Sequence, residues 1–215
     1  MAAYFISFEG LDGSGKSSHL QRLSTRLTEL EIAHEVTAEP GGTELGREIR
    51  NIFLDRRWKS IDGKIECLML FASRRQQILE VIEPALAAGR HVLCDRFTDS
   101  TLAYQGGGRG VSKADIEALE RISIGGLRPD RTILFDLPLE LARRRVSSPA
   151  RARRANGVDR LDVEELEFYA RVRESYGEIM AGEPQRFRVV DSSGTLESTQ
   201  RRLRLELKDL FGDRL

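Results

Sequence analysis

The stretch Gly10-Leu11-Asp12-Gly13-Ser14-Gly15-Lys16-Ser17 fits the pattern G-x-x-x-x-G-K-S, and its flanks decide what the pattern means. Upstream, Tyr4-Phe5-Ile6-Ser7-Phe8 reads as a buried strand; downstream, Leu20, Leu23, Leu27 and Leu30 recur at helical spacing. A glycine-rich loop between strand and helix can turn its backbone N–H groups inward around phosphate oxygens, and the helix adds the positive end of its dipole. Gly10 through Ser18 is therefore predicted to bind nucleotide phosphate, with Lys16 reaching the β- and γ-phosphates and Ser17 ligating Mg²⁺. The alternative is a glycine-rich turn followed by a chance Lys-Ser; the agreement of strand, loop and helix speaks against it.

Beyond this unit, His34-Glu35-Val36-Thr37, His91-Val92-Leu93-Cys94, Thr132-Ile133-Leu134-Phe135 and Phe187-Arg188-Val189-Val190 are further strand candidates. Helical patterns cover roughly 16–31, 44–54, 62–88, 98–105, 112–125, 138–146, 162–181 and 195–211, the seventh opened by an Asp162/Glu165 pair that resembles a capping box. Strands alternating with helices predict an α/β domain: a five-stranded parallel sheet covered on both faces. Ligands of such sheets bind outside the carboxyl ends of the strands. The residues there are Glu39-Pro40-Gly41-Gly42-Thr43, Asp95-Arg96 and Asp136. Residues 147–157, small, polar and basic, read as a flexible loop.

At 215 residues the chain is expected to form a single domain, 1–215, with a mobile insertion and no need of disulfides. Lys plus Arg and Asp plus Glu both total 34, so no overall field attracts nucleic acid or an anionic membrane. Cys67 and Cys94 lie far apart, which fits a reducing compartment. No basic leader precedes the first apolar run and Glu9 interrupts it, so a cytoplasmic protein is expected. Lysine occurs only at 16, 59, 64, 113 and 208, so each arginine has to be argued from its neighbours. His19, His34 and His91 are scattered and suit structural roles better than catalysis.

A phosphate loop serves switches, motors and small-molecule kinases alike. The absence of an Asn-Lys-x-Asp motif argues against a Ras-like GTPase, and the neutral charge balance against a DNA-remodelling motor. A compact kinase remains. Asp95 at a strand end can hold Mg²⁺, and Arg96 can bind an acceptor phosphate bidentately; a plain surface Asp-Arg pair is the alternative.

Phe8-Glu9-Gly10 through Ser17, Glu39-Pro40-Gly41-Gly42-Thr43, Asp95-Arg96-Phe97, Ser100, Ala103-Tyr104-Gln105-Gly106-Gly107-Gly108-Arg109, Arg128-Pro129-Asp130 and Asp159-Arg160 together resemble the thymidylate kinase family, in its order and spacing over almost the whole chain. The resemblance implies a P-loop nucleoside-monophosphate-kinase-like fold with a short lid at about 147–160, a homodimer built from helices, and phosphoryl transfer from ATP·Mg²⁺ to dTMP. It further implies that Asp12 meets the 3′-hydroxyl of the acceptor, that Glu39 and Pro40 line the acceptor site, and that Ser100 and Gln105 lie near base and sugar. Tyr104 would crowd the 2′ carbon. Phe71 would stack on thymine, though it is apolar enough to be core, and either Arg74 or Arg75 would bond the base. Lid arginines Arg151, Arg153 and Arg154, with Arg143 and Arg160 at the stems, would act on the transferring phosphoryl group; a solvated basic loop is the alternative. Many members carry arginine before Glu-Pro-Gly-Gly where this chain has Ala38, which shifts phosphate binding to Arg96 or another basic residue such as Arg50. A kinase for another pyrimidine nucleotide, and a nucleotide-binding switch without kinase activity, are the competing readings.

Overall fold

The computed structural model describes residues 3–58, 60–148, 159–162 and 164–215. Strands β1 (Phe5–Gly10), β2 (His34–Ala38), β3 (His91–Asp95), β4 (Arg131–Asp136) and β5 (Phe187–Asp191) form one sheet in the order β2-β3-β1-β4-β5, every neighbouring pair parallel. Each sequence-predicted strand is present, its carboxyl end extended by one or two residues. Those extensions carry Gly10, Asp95, Asp136 and Asp191, so the polar chemistry lines one edge of the sheet.

All six residues of the central strand β1 are buried, and its pleat sorts them by parity. Ile6 and Phe8 pack with Leu20, Leu23 and Leu27 of α1 (Lys16–Glu29) and Leu203 of α9 (Leu196–Glu206). Phe5 faces the other way, among Cys67 and Phe71 of α3 (Gly63–Gln77), Phe97, and Ile116 of α6 (Lys113–Ile124). Each such side chain fully withdrawn from water contributes about 1.5–3 kcal/mol. Ser7 and Glu9 share the Phe5 face, and the Ser7 hydroxyl is satisfied by Thr132 Oγ1 at 2.9 Å.

The helices begin where a short polar side chain can take an orphan N–H. Thr43 caps α2 (Glu44–Leu54) by accepting from Gly46 N at 3.0 Å, and Ser112 caps α6 by accepting from Asp115 N at 3.2 Å. The expected Asp162/Glu165 capping box does not form. Helix α8 (Leu166–Gly182) starts after Glu165, whose side chain makes no cap bond, while Asp162 accepts from Asp159 N at 3.1 Å and so belongs to the preceding turn.

Two helical stretches widen into π turns that the periodicity does not reveal. Helix α3 runs through Ile78–Ile82 into α4 (Glu83–Ala87); Pro84 has no N–H to give a regular ladder, and the widened turn precedes it. Helix α5 (Thr98–Thr101) winds on through Leu102–Gly108 rather than ending at its glycines. A Cβ on Gly107 would stand 2.5 Å from that of Ser175, and one on Gly108 2.5 Å from the Phe168 ring. The glycines thus let α8 lie directly on this turn, which brings Tyr176 to the sheet edge.

Candidate active site

The phosphate loop takes its shape from Gly10, Gly13 and Gly15, all at positive φ (129°, 83° and 89°). At Gly10 a Cβ would come within 2.5 Å of the Phe135 carbonyl oxygen, so only glycine lets β1 turn away from β4 here. Lys16 folds back to donate to the carbonyls of Gly10 and Leu11, both at 3.0 Å. Burial, with Arg96 nearby, lowers its pKa to about 8 against the pull of Asp12, Asp95 and Glu9. Ser17 donates to Asp95 Oδ2. A hydroxyl and a carboxylate converging beside the loop are hard oxygen donors that fit Mg²⁺. Among the described residues no group of three or more His, Cys, Asp or Glu could hold a metal alone, so these two donors would rely on phosphate and water for the other ligands.

Two cavities of about 530 Å³ each meet at Asp12, Lys16 and Ser17. The first is walled by Gly13 through His19, then Arg144 and Arg145 at the end of α7 (Leu139–Val146), and Ser192, Gly194 and Thr195 after β5. Arg145 ties its walls together, donating to Gly13 O at 3.3 Å and Ser192 O at 3.1 Å. His19, in the wall of this cavity, stacks on Phe135 at 5.5 Å and bonds Gln200 at 2.7 Å.

The second cavity contains Glu39, Pro40, Arg50, Arg74, Asp95, Arg96, Ser100, Tyr104 and Gln105, a large part of the expected acceptor set. Arg96 occupies the left-handed region, φ 75°, rare for a side-chain-bearing residue. Five oxygens hold it there: Asp12 Oδ1 at 2.9 Å, Ser100 Oγ at 3.0 Å, Gly10 O and Tyr104 OH at 3.1 Å, and Tyr176 OH at 3.3 Å. Tyr104 OH also donates to Asp12 Oδ2 at 3.1 Å. Beneath them lies Glu9, fully buried, accepting from Phe97 N at 2.7 Å, Ser100 Oγ at 2.5 Å and Tyr176 OH at 2.9 Å. Burial, then Asp99, raises its pKa to about 7.

Of the two candidate arginines, helix geometry turns one toward the cavity. Arg74 is buried and lines the cavity, whereas Arg75 is exposed and does not. Arg74 Nε donates to Glu39 Oε2 at 2.5 Å and its Nη2 to Thr101 Oγ1 at 3.0 Å, leaving Nη1 and Glu39 Oε1 buried without hydrogen-bond partners among the described residues. Phe71 does not reach the cavity: it is 2 % exposed, in the core, with the Arg74 guanidinium 4.7 Å from its ring centre. The apolar wall comes instead from Leu70 and Phe53. Gln105 lines the cavity but donates to buried Glu66 at 2.8 Å. Arg160 is no free lid-stem cation; it is buried, 2.8 Å from Glu66 Oε1, and donates to Phe53 O at 3.1 Å. Arg143 lines a smaller cavity of about 200 Å³ that also touches Asp12. Arg151, Arg153 and Arg154 lie outside the described residues.

Glu9, Leu70, Arg145 and Tyr176 were not anticipated. Only Glu9 left a local signal, as a charge closing an apolar strand.

Residues 8–203 match the family model described as thymidylate kinase. Curated relatives named thymidylate kinase include one from Cupriavidus pinatubonensis, 44 % identical over 98 % of both chains, and one from Cupriavidus necator, 46 % identical over 91 % of this chain and 93 % of its own. A third, from Pseudomonas putida strain GB-1, is 43 % identical over 94 % of this chain and 93 % of its own. With the family model spanning most of its length and such identities over nearly all of it, the chain belongs to the thymidylate kinase family.

Proposed function

We propose that this chain transfers the γ-phosphoryl group of ATP·Mg²⁺ to the 5′-phosphate of dTMP, releasing dTDP and ADP. Phosphorylation of dTMP is the activity of the family; the donor, the metal and the residue roles are the proposal. The observation that carries it is the pair of cavities meeting at Asp12, Lys16 and Ser17, one walled by the phosphate loop and the other by Arg74, Arg96 and Tyr104.

The acceptor needs little help to become a nucleophile, because its phosphate is already largely ionised near neutral pH. The chain's task is to hold two anions in line and balance their charge. An acceptor oxygen bonds to the γ-phosphorus, the bond to the β-bridging oxygen breaks, and ADP leaves with that electron pair. Lys16 holds the β- and γ-phosphates, and Arg96, fixed by its five oxygens, meets the acceptor phosphate. Ser17 and Asp95 would hold Mg²⁺, which when bound would supply Lewis-acid charge on the phosphate oxygens. Asp12 orients the acceptor sugar, and the Tyr104 ring, pinned by Asp12 and Arg96, crowds the 2′ position. The unpartnered Arg74 Nη1 supports a hydrogen bond to the base. Arg151, Arg153 and Arg154 are proposed as lid cations on the transferring group.

Exposed Leu45 and Ile52 on α2 and Ile65 and Leu68 on α3 support a homodimer joined through helices. Among the described residues no helix is long and apolar enough to cross a membrane, which supports a cytoplasmic location. The test is coupled ADP release with ATP·Mg²⁺ against dTMP, dUMP, dCMP, dGMP and no acceptor, with Lys16→Ala as control. Release selective for dTMP and abolished in the variant is expected. Preference for another acceptor overturns the base assignment, and ATP binding without acceptor-dependent release overturns the kinase reading.

A further inference from the structure

The acceptor cavity contains a cation with no task in this scheme. Four carboxylates, Asp12, Glu39, Asp95 and Asp159, face five cations, Lys16, Arg47, Arg50, Arg74 and Arg96. Four of the cations are engaged: Lys16 by two carbonyls, Arg50 by Pro40 O at 2.9 Å, Arg74 by Glu39, and Arg96 by Asp12 and its neighbours. Arg47 makes no side-chain hydrogen bond or ion pair among the described residues. It stands three residues before Arg50 on α2, so the two guanidiniums share a helix face. Among the described residues lining the cavity, the formal charges without Arg47 would cancel, four against four, and those residues alone would offer an incoming dianion no net attraction. Ala38 lines the same cavity and offers only a methyl group.

We propose that Arg47 is a binding residue for the acceptor's 5′-phosphate, supplying from α2 the cation that Ala38 does not supply from β2. The inference rests on the second cavity being the nucleoside-monophosphate site. Because Arg47 is exposed and unpaired, replacing it leaves no buried charge and costs the fold little. Its effect must fall on the phosphate alone, and thymidine, which has the base and sugar without the phosphate, provides the contrast.

The experiment is calorimetric titration of the full chain and its Arg47→Ala and Arg47→Glu variants with dTMP and with thymidine. Arg47→Ala is expected to weaken dTMP about ten- to a hundredfold, the range of a charge-assisted hydrogen bond, and Arg47→Glu further, with thymidine unchanged. A dTMP affinity within about twofold of the unsubstituted chain, or thymidine weakening in parallel, overturns the inference. Because binding is read without turnover, the two proposals fail separately. Loss of dTMP affinity in a chain without dTMP-dependent ADP release removes the proposed reaction and keeps the role of Arg47; normal release with unchanged affinity in the variants removes the role alone.

Discussion

Replacing Arg74 by Met keeps the length of the side chain and removes the guanidinium, leaving Glu39 buried beside an apolar stem. In the unsubstituted protein burial, opposed by Arg74, raises the Glu39 pKa to about 7 from an ordinary 4.5. The stability tied to that carboxyl is therefore fully present below about pH 4.5 and is lost as pH rises through about 7. Without Arg74 the opposing influence is gone and the folded pKa rises further, so above pH 7 folded Arg74→Met retains a proton that the unsubstituted protein has released. The cost of the substitution should then have two parts. A nearly pH-independent part comes from the lost bond to Thr101 and the lost contacts with the Phe71 and Phe97 rings, at 4.7 and 5.1 Å. Together these come to about 2–4 kcal/mol. A second part grows by about 1.4 kcal/mol per pH unit above 7, one retained proton's worth. At pH 8.5 the total should be about 4–6 kcal/mol, lowering Tm at about 2–4 °C per kcal/mol for a chain of this size. Urea unfolding at pH 6, 7, 8 and 8.5, for the single variant and for Glu39→Gln/Arg74→Met, reads both parts. A cost that stays flat from pH 6 to 8.5, or a slope that survives in the double variant, would refute this account of the pair.

Two further perturbations test the phosphate loop. Gly10→Ala should destabilise by about 1–3 kcal/mol from backbone conformation alone, with more added as β4 is pushed away, whereas Gly89→Ala, at φ 72° with open space around it, should pay only the first kind of cost. Equal losses in thermal unfolding would show that the Phe135 carbonyl is not the obstacle. Because Lys16 titrates near 8, raising the pH from 7 to 9 should weaken ATP about tenfold, and the Lys16→Ala variant should show no such trend. A flat calorimetric profile in the unsubstituted chain would mean that Lys16 is not the cation ATP requires.

Strands β3, β4 and β5 were readable because each is a short, largely apolar stretch ending in aspartate, and β1 because it is buried along its whole length; β2 has only Val36 and Thr37 to mark it. The loop and the acceptor residues at strand ends followed from the same rule, since parallel strands all present their carboxyl ends to one edge. Side-chain direction on helices was harder. Leu70 and Arg74, four apart on α3, share the face that reaches the cavity, while Phe71, about 100° further round the helix, enters the core. Adjacent positions such as Arg74 and Arg75 differ by the same angle, so sequence alone left both open while only Arg74 lines the cavity. The π turns escaped detection because they change hydrogen-bond span without disturbing the apolar pattern. Arg47 was missed because its meaning depends on Ala38, nine residues away and on another element.

The parity of β1 also sets how the two nucleotide sites can fail. Glu9 anchors the acceptor side, Gly10 opens the donor loop, and the two are adjacent residues ending the central strand, which is paired with β3 as far as Phe8 and with β4 as far as Gly10. Fraying at an edge strand can spare both sites, but no opening of the centre can release one and keep the other. Amide exchange at the end of β1 should therefore require the rarest, whole-domain openings, while β2 and β5 exchange through smaller ones. ATP bound at one site alone should consequently slow exchange beneath the empty acceptor site, through shared unfolding and with no conformational signal passing between them.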